Sequence, residues 1–492
     1  MVKCFFFLCL LLSGWAAPFS YLLQAATDKA AEHSEAGLKL AHAGDLSHAE
    51  AELRLAVELA PSDPRYLSNL ASILRAEKKP TEALDYYRRA LQIDPQNAVI
   101  RRNLALALWD AGQLSEAGTV LQAVLNTKPT DRYTTLMLGM LEERQGHHAQ
   151  AASLLGSVPD LVEHDPESVL ALAHSYYQTG QKAQAAQTLA LLQGVHTVAA
   201  AAMFSAARLA VDSDDPETGK KMALELIRRG DEVGRSYNLL GHIYQREGKL
   251  SEAVASFDEA IAHEPRAEGH YLDLIRALAA YNQWRPALEV ARKAVEQFPG
   301  SESLYESKGL TETVLLLTRD ALQSYTRARE INPSSAKANL GLGVAQRAAG
   351  MAEEGAATFE RGIQQFPGDA LHYQEYGLML LKKAASGDVK AELRAVSLLE
   401  KALALDGTLS EAHYELGNVA LNHGDMPSAR THLEQAAKLE PDLSKIHYAL
   451  SRLYRRVNRP AEAATEFEAY QRLKAEEEKS NPGFPAAKLQ LK

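Results

Sequence analysis

Cysteine is nearly missing from this 492-residue chain: two occur, Cys4 and Cys9, both within the first ten residues. Nothing downstream can therefore serve as a thiol nucleophile, join a disulfide framework or bind a metal through sulfur. Such a chain suits an oxidising compartment. Positive charge is also in deficit, with 53 Lys and Arg against 63 Asp and Glu and a formal charge of −10. A general nucleic-acid partner is not expected, because phosphate neutralisation needs a basic footprint. Aromatic residues make up only 7%. With plentiful Ala and Gly, that scarcity favours tight helix–helix contact over a β-sandwich. Common catalytic signatures are missing too: neither H-E-x-x-H, nor G-x-x-x-x-G-K-[ST], nor G-x-S-x-G occurs. Gly341-x-Gly343 begins a dinucleotide-like pattern that Arg347 and its neighbours do not complete. The expectation is a non-enzyme without catalytic residues, cofactor or metal.

Long apolar runs are confined to the N-terminus. Residues 1–26 place Lys3 before an unbroken apolar stretch from Cys4 to Leu12, followed by small residues at Gly14, Ala16 and Ala17. This reads as a signal peptide, cut after Ala16, or as an uncleaved anchor. The residues before Cys9 form no lipobox. The chain is expected to be exported to the periplasm or the extracellular space, the alternative being a membrane-anchored protein held by this segment alone.

What the chain has in abundance is periodicity. Prolines fall at 61, 95 and 129, and again at 265, 299, 333 and 367, always 34 apart. The gap from 129 to 265 is four such steps. Gly407 and Pro441 continue the series after a six-residue insertion. With these residues at position 32, repeats begin at 30, 64, 98, 132, 166, 200, 234, 268, 302, 336, 370, 410 and 444, giving 13 over residues 30–477. Position 20 is Ala or Gly in all 13. Position 8 is Gly, Ala or Ser except at Ile275. Apolar residues recur at helical spacing, as in Tyr237, Leu240, Gly241 and Tyr244. Glycine follows near position 15 in seven repeats, where a left-handed residue ends a helix. A second amphipathic run, such as Ala253, Phe257 and Ala260, ends at the proline. Each repeat is predicted to be a helix–turn–helix that buries its apolar face only by stacking on its neighbours. Small residues at positions 8 and 20 let the two helices approach, and a large residue at position 24 fills the remaining gap.

Tyr237-x2-Leu240-Gly241-x2-Tyr244, Ala253-x3-Phe257 and Pro265 together resemble the tetratricopeptide-repeat (TPR) signature, with Tyr in place of the first Trp. The resemblance covers residues 30–477. It implies an all-α, right-handed superhelix (an α-solenoid) of about 13 helix pairs, with first helices lining a concave groove. The expected organisation is a targeting segment (1–26), repeats 1–4 (30–165), degenerate repeats 5 and 6 (166–233), repeats 7–13 (234–477) and a disordered tail (478–492). Glu163, Thr197 and Asp231 stand where repeats 4–6 should carry proline. Two local expectations follow: Ala384–Glu392 lengthens the turn between the helices of repeat 11, and Leu315–Leu317 slightly lengthens the first helix of repeat 9.

The resemblance also implies where a ligand would bind, at positions 2, 5, 6, 9, 12 and 13. Those positions hold Asn69, Asn103, Trp109, Tyr133 and Tyr177 near the front, with Arg65, Arg102, Arg144 and Arg208. Near the end they hold Tyr414, Asn418, Tyr448 and Arg452, with Arg455 and Arg456, and also Glu375, Glu411, Glu415 and Lys445. Trp109 is the sharpest candidate, because a groove aromatic can anchor a peptide. Asn69 and Asn103 would bond a peptide backbone, and the three arginines would receive an acidic segment. The carboxylate clamp of chaperone-binding relatives is not expected, since Ser34, Leu38, Val99 and Asn103 miss four of its five residues. Histidines offer no metal pattern: His147 and His148 are adjacent in a turn, and His174 and His242 share position 9 two repeats apart. The expected function is a non-catalytic scaffold for a protein or peptide ligand, with self-association left open. The alternatives are a regulatory subunit of a separate envelope enzyme, such as a glycosyltransferase, and a binder of a cell-envelope polymer.

Overall fold

The computed structural model describes residues 27–193 and 198–480. The targeting segment, Thr197 and all but the first three residues of the expected tail lie outside them. Among the described residues the chain is helical throughout, with no strand. Two compact units divide between Leu239 and Leu240.

In the unit ending at Leu239 the helices are α1 (27–42), α2 (Leu46–Leu59), α3 (Pro64–Ala76), α4 (Pro80–Ile93), α5 (Ala98–Asp110), α6 (Leu114–Thr127), α7 (Arg132–Arg144), α8 (His148–Gly156), the single turn α9 (Pro159–Val162), α10 (Pro166–Gln178), α11 (Lys182–Ala190), α12 (Ala200–Asp212) and α13 (Pro216–Arg229). The division falls inside α14 (Val233–Arg246). In the second unit follow α15 (Leu250–His263), α16 (Glu268–Ala280), α17 (Trp284–Gln297), α18 (Glu302–Val314), α19 (Thr318–Ile331), α20 (Ala336–Ala348), α21 (Ala352–Gln365), α22 (Ala370–Ala384), α23 (Val389–Leu405), α24 (Ser410–His423), α25 (Met426–Leu439), α26 (Ser444–Arg456) and α27 (Pro460–Ser480). Within each unit a helix packs on the next. First helices also touch across repeats, as α10 does α12 and α20 does α22. This is the solenoid arrangement: each apolar face is closed by its neighbour, with no common centre.

In seven repeats the end of the 34-residue step has a capping function that the proline spacing alone did not reveal. Asp63, Asn97, Asp131, Asp165, Ser301, Ser335 and Asp369 occupy the last position of their repeats. Each side chain accepts a backbone N–H from the first turn of the next helix. Such caps satisfy donors that the helix itself leaves unpaired.

The turn inside each pair requires a left-handed residue. All seven position-15 glycines have positive φ, between 74° and 83°. Lys78, Asp214, Asn282, Leu316 and Asn458 adopt the same conformation at that position in other repeats, with φ of 57° to 64°. Repeat 9 therefore departs from expectation: α18 stops at Val314, and Leu316 serves as the turn residue instead of extending the helix. A branched side chain pays about 1–2 kcal/mol to be left-handed, and Leu316 is 62% exposed, so it recovers little by burial. Leu316→Gly is expected to stabilise the protein by about 0.5–1 kcal/mol after the extra chain entropy of glycine is subtracted. A denaturation midpoint no higher than that of the wild type would count against this strain.

Repeat 11 differs too. The insertion goes mainly into the helices: α22 has 15 residues and α23 has 17, against 13 in α20 and 14 in α21. The turn gains only one residue. Extending an existing helix adds one hydrogen bond per residue fixed, which a longer loop does not.

Between the two helices of a pair, size is complementary. A methyl group on Gly37, Gly139, Gly241, Gly343 or Gly417 would stand 2.6–2.7 Å from Leu53, Leu155, Phe257, Phe359 or Leu433, each the large residue at position 24. In repeat 8 the sizes are exchanged: buried Ile275 occupies position 8 and buried Ala291 position 24. The Gly341-x-Gly343 pair belongs to this packing, lying in α20 against the Tyr325 and Phe359 rings.

Candidate functional site

The first-helix face of the N-terminal unit carries a cavity of about 440 Å³. Its walls come from α5, α7, α10 and α12, the first helices of repeats 3 to 6. A 34-residue period places the same repeat position of successive helices side by side. Two ladders result. Position 12 supplies Trp109, Glu143 and Tyr177, and position 9 supplies Met140, His174 and Arg208. These positions are three residues apart and share one helix face. A second cavity, bordered by Ser115, Gly118, Gln122, Leu138 and Glu142, has neither aromatic nor cationic side chains.

Trp109 is half-buried and rests on the core of repeats 1 to 4. The Arg144 guanidinium stands over its ring at 5.5 Å, a cation–π contact that leaves the charge facing solvent. Neither Arg144 nor Arg208 forms an ion pair among the described residues, and both are exposed. Aromatic surface, two arginines without ion-pair partners and the carboxylates of Glu143, Glu167 and Asp212 thus lie together in one concavity. Of the sequence-expected residues, the cavity brings together Trp109, Tyr177, Arg144 and Arg208.

The others lie apart from it. Asn69 donates to the Ser34 hydroxyl at 3.4 Å, within the preceding repeat. Asn103 is half-buried, one repeat from Asn69. Tyr133 is 63% exposed outside the cavity. Arg65 and Arg102 are held by Asp63 and Asp131 at 2.6 and 2.7 Å.

In the second unit the first-helix candidates form a charged row. Arg347 bonds Glu375 at 2.8 Å, yet burial still pushes the Glu375 carboxyl upward. Lys445 pairs with Glu411 and lies 4.5 Å over the half-buried Tyr414 ring. Burial raises the Tyr414 hydroxyl, and an Asn418 hydrogen bond opposes this. Glu415 is pushed up to about 7, by burial first and by Glu411 second. The three arginines of α26 each take a separate partner. Arg452 reaches Asn422 at 3.5 Å, Arg455 covers the Phe467 ring at 5.2 Å, and Arg456 bonds the Leu421 carbonyl. Tyr448 lies against Tyr470 of α27, ring centres 5.1 Å apart.

One constellation escaped the sequence reading. Glu143, His148 and His174 present ligating atoms all within 4.8 Å of one another. Comparing histidines at equal repeat positions could not find it, because His148 begins a second helix while Glu143 and His174 lie on first helices. The usable signal was the spacing Glu143–His148 across a turn whose left-handed Gly146 folds the chain back.

Models of the family described as "Tetratricopeptide repeat" match residues 23–98, 74–138, 234–265, 317–370, 394–444 and 414–478, together more than half of the chain. A similar curated protein is the TPR repeat-containing protein YpiA of Bacillus subtilis, 24% identical over 294 residues, 59% of this chain and 58% of that one. The chain spans only 27% of another relative, the CTR9 homolog of Arabidopsis thaliana, at 24% identity over 58% of its own length. The type IV pilus assembly protein PilF of Pseudomonas aeruginosa is 27% identical over 39% of this chain and 77% of its own. Among solved structures, yeast Tom70 aligns over 90% of this chain and 92% of that one, at 16% identity and a TM-score of 0.42. The 34-residue helix pairs, their glycine turns and the matching family models make this chain a member of the tetratricopeptide-repeat family.

Proposed function

We propose that this protein is a non-catalytic scaffold that holds an extended or helical segment of a partner protein against its first-helix face, anchored in the cavity around Trp109 and Tyr177. The carrying observation is that the cavity draws on four successive first helices and combines two aromatic rings with two arginines lacking ion-pair partners. Such anchors dominate binding energy when water is excluded around them. Because Glu143, Glu167 and Asp212 line the cavity beside Arg144 and Arg208, the ligand best suited presents an apolar side chain flanked by groups of both charges. PilF, a type IV pilus assembly protein by name, and the apolar first 26 residues support an envelope setting reached by export or anchoring. Among the described residues no helix is long and apolar enough to cross a membrane.

The test is selection of binding peptides from a random displayed library against the full chain. Trp109→Ala should weaken the selected peptides by about 30-fold, the equivalent of about 2 kcal/mol. Leu224→Ala, on the exposed side of α13, should leave them unchanged. Peptides indifferent to both Trp109 and Tyr177 would remove the cavity from the account.

A further inference from the structure

We infer that Glu143, His148 and His174 form a zinc site that fastens repeat 4 to repeat 5. The three ligating atoms lie within 4.8 Å of one another. Contraction by about 1 Å through side-chain rotation brings two imidazole nitrogens and a carboxylate oxygen to Zn²⁺ distances of ~2.0–2.2 Å. That donor set, with a fourth position left for water or a ligand, is a known zinc arrangement.

The local chemistry points the same way. His174 Nδ1 already meets Glu143 Oε1 at 2.8 Å, an imidazole–carboxylate contact that a shared cation would replace. The far nitrogen, Nε2, lies 3.1 Å from the Gln178 amide. With that amide turned, its oxygen accepts the Nε2 proton and fixes the tautomer that leaves Nδ1 free to coordinate. The His148 ring stands edge-on to His174 at 5.2 Å. Its Nδ1 is buried without a hydrogen-bond partner, a costly state for a polar atom that coordination relieves. The neighbouring His147 is engaged elsewhere, bonding Glu142 at 2.6 Å. The adjacent pair therefore divides its roles.

The site also lies at the junction of two repeats whose second helices are short. The second helices of repeats 4 and 5, α8 and α11, have nine residues each, against 14 in α4 and α6. A bridge from the end of α7 and the start of α8 to α10 crosses that junction. Glu143 and His174 also border the cavity, so the fourth zinc position is available to a donor bound there. The inference stands on the donor set and does not depend on the peptide reading.

Equilibrium dialysis of the tag-free full chain with Zn²⁺ tests it, with Mg²⁺ as the comparison and circular dichroism on every variant. One zinc per chain should bind at micromolar concentration or tighter, and the thermal midpoint should rise with added zinc. His148→Ala and His174→Ala should each abolish the tight site. Gln178→Ala should weaken it about 10- to 100-fold, and His147→Ala should leave it intact. Should His174→Ala fail to fold, Glu143→Gln provides the same test without removing a ring. No bound zinc, equal binding of Mg²⁺, or full binding in the His148→Ala/Glu143→Gln chain would each overturn the assignment.

Discussion

Gly343→Ile is expected to destabilise the second unit by about 3 kcal/mol, at the upper end of what overpacking costs. Even a methyl group at this position meets the Phe359 ring at 2.6 Å. Phe359 is fully buried and stacks on Tyr376 with ring centres 6.1 Å apart, so it cannot swing aside. Phe359→Ala alone should cost about 3–5 kcal/mol through the cavity it leaves. The double variant should cost less than the two together, by about 2 kcal/mol, because it recreates the Ile275–Ala291 arrangement of repeat 8. Repeat arrays need not unfold in one step. Amide exchange across α20 and α21 is therefore the readout, alongside denaturation. Strictly additive costs would mean that the exchanged sizes in repeat 8 are coincidence.

That exchange shows why the fold was legible in the sequence. Position 8 against position 24 is a contact between residues 16 apart, or 22 apart across the insertion in repeat 11 (Gly377 and Leu399), so a spacing argument reaches it directly. The glycine turns were legible for the same reason: a left-handed residue is a local demand, and glycine announces it. Where the side chain does not announce the conformation, the reading failed. Leu316 takes φ 59° with an apolar side chain, and three leucines in a row read more naturally as helix. The insertion in repeat 11 was visible as six extra residues. Their division between α22 and α23 was not, because helix length depends on what the extra turns pack against.

The candidate site was legible only as a set of positions. Trp109 and Tyr177, two repeats apart, border one cavity because position 12 recurs on successive first helices, which the period predicts. That Asn69 is already bonded to Ser34, or that Arg455 lies over Phe467, depends on rotamers that no period encodes. The Glu143–His148–His174 cluster crosses from first to second helix and between repeats. Finding it needed the actual geometry of the turn at Gly146.

Glu415 should contribute stability that falls as pH rises from about 4.5 to about 7, and Glu415→Gln should remove that contribution. Glu415 sits on α24 beside Glu411, with Lys445 opposing the shift from α26. Burial disfavours its charged form, and Glu411 adds repulsion, so the carboxyl moves from its ordinary 4.5 up to about 7. The folded chain then binds this proton more tightly than the unfolded chain does. The contribution is complete below 4.5 and is lost as the pH passes through 7. At 1.36 kcal/mol per pKa unit, the full effect is about 3 kcal/mol. Other groups titrate in the same window, including His413 and His432, which burial shifts downward, and His447, which Glu466 shifts upward. The difference between wild type and Glu415→Gln cancels most of their contribution. That difference should be smallest near pH 4.5 and should grow in favour of the variant toward pH 8, because glutamine never acquires the buried charge. A constant difference across the range would show that Glu415 ionises as an ordinary solvated carboxylate, and the acidic face of α24 would then carry its full charge at neutral pH.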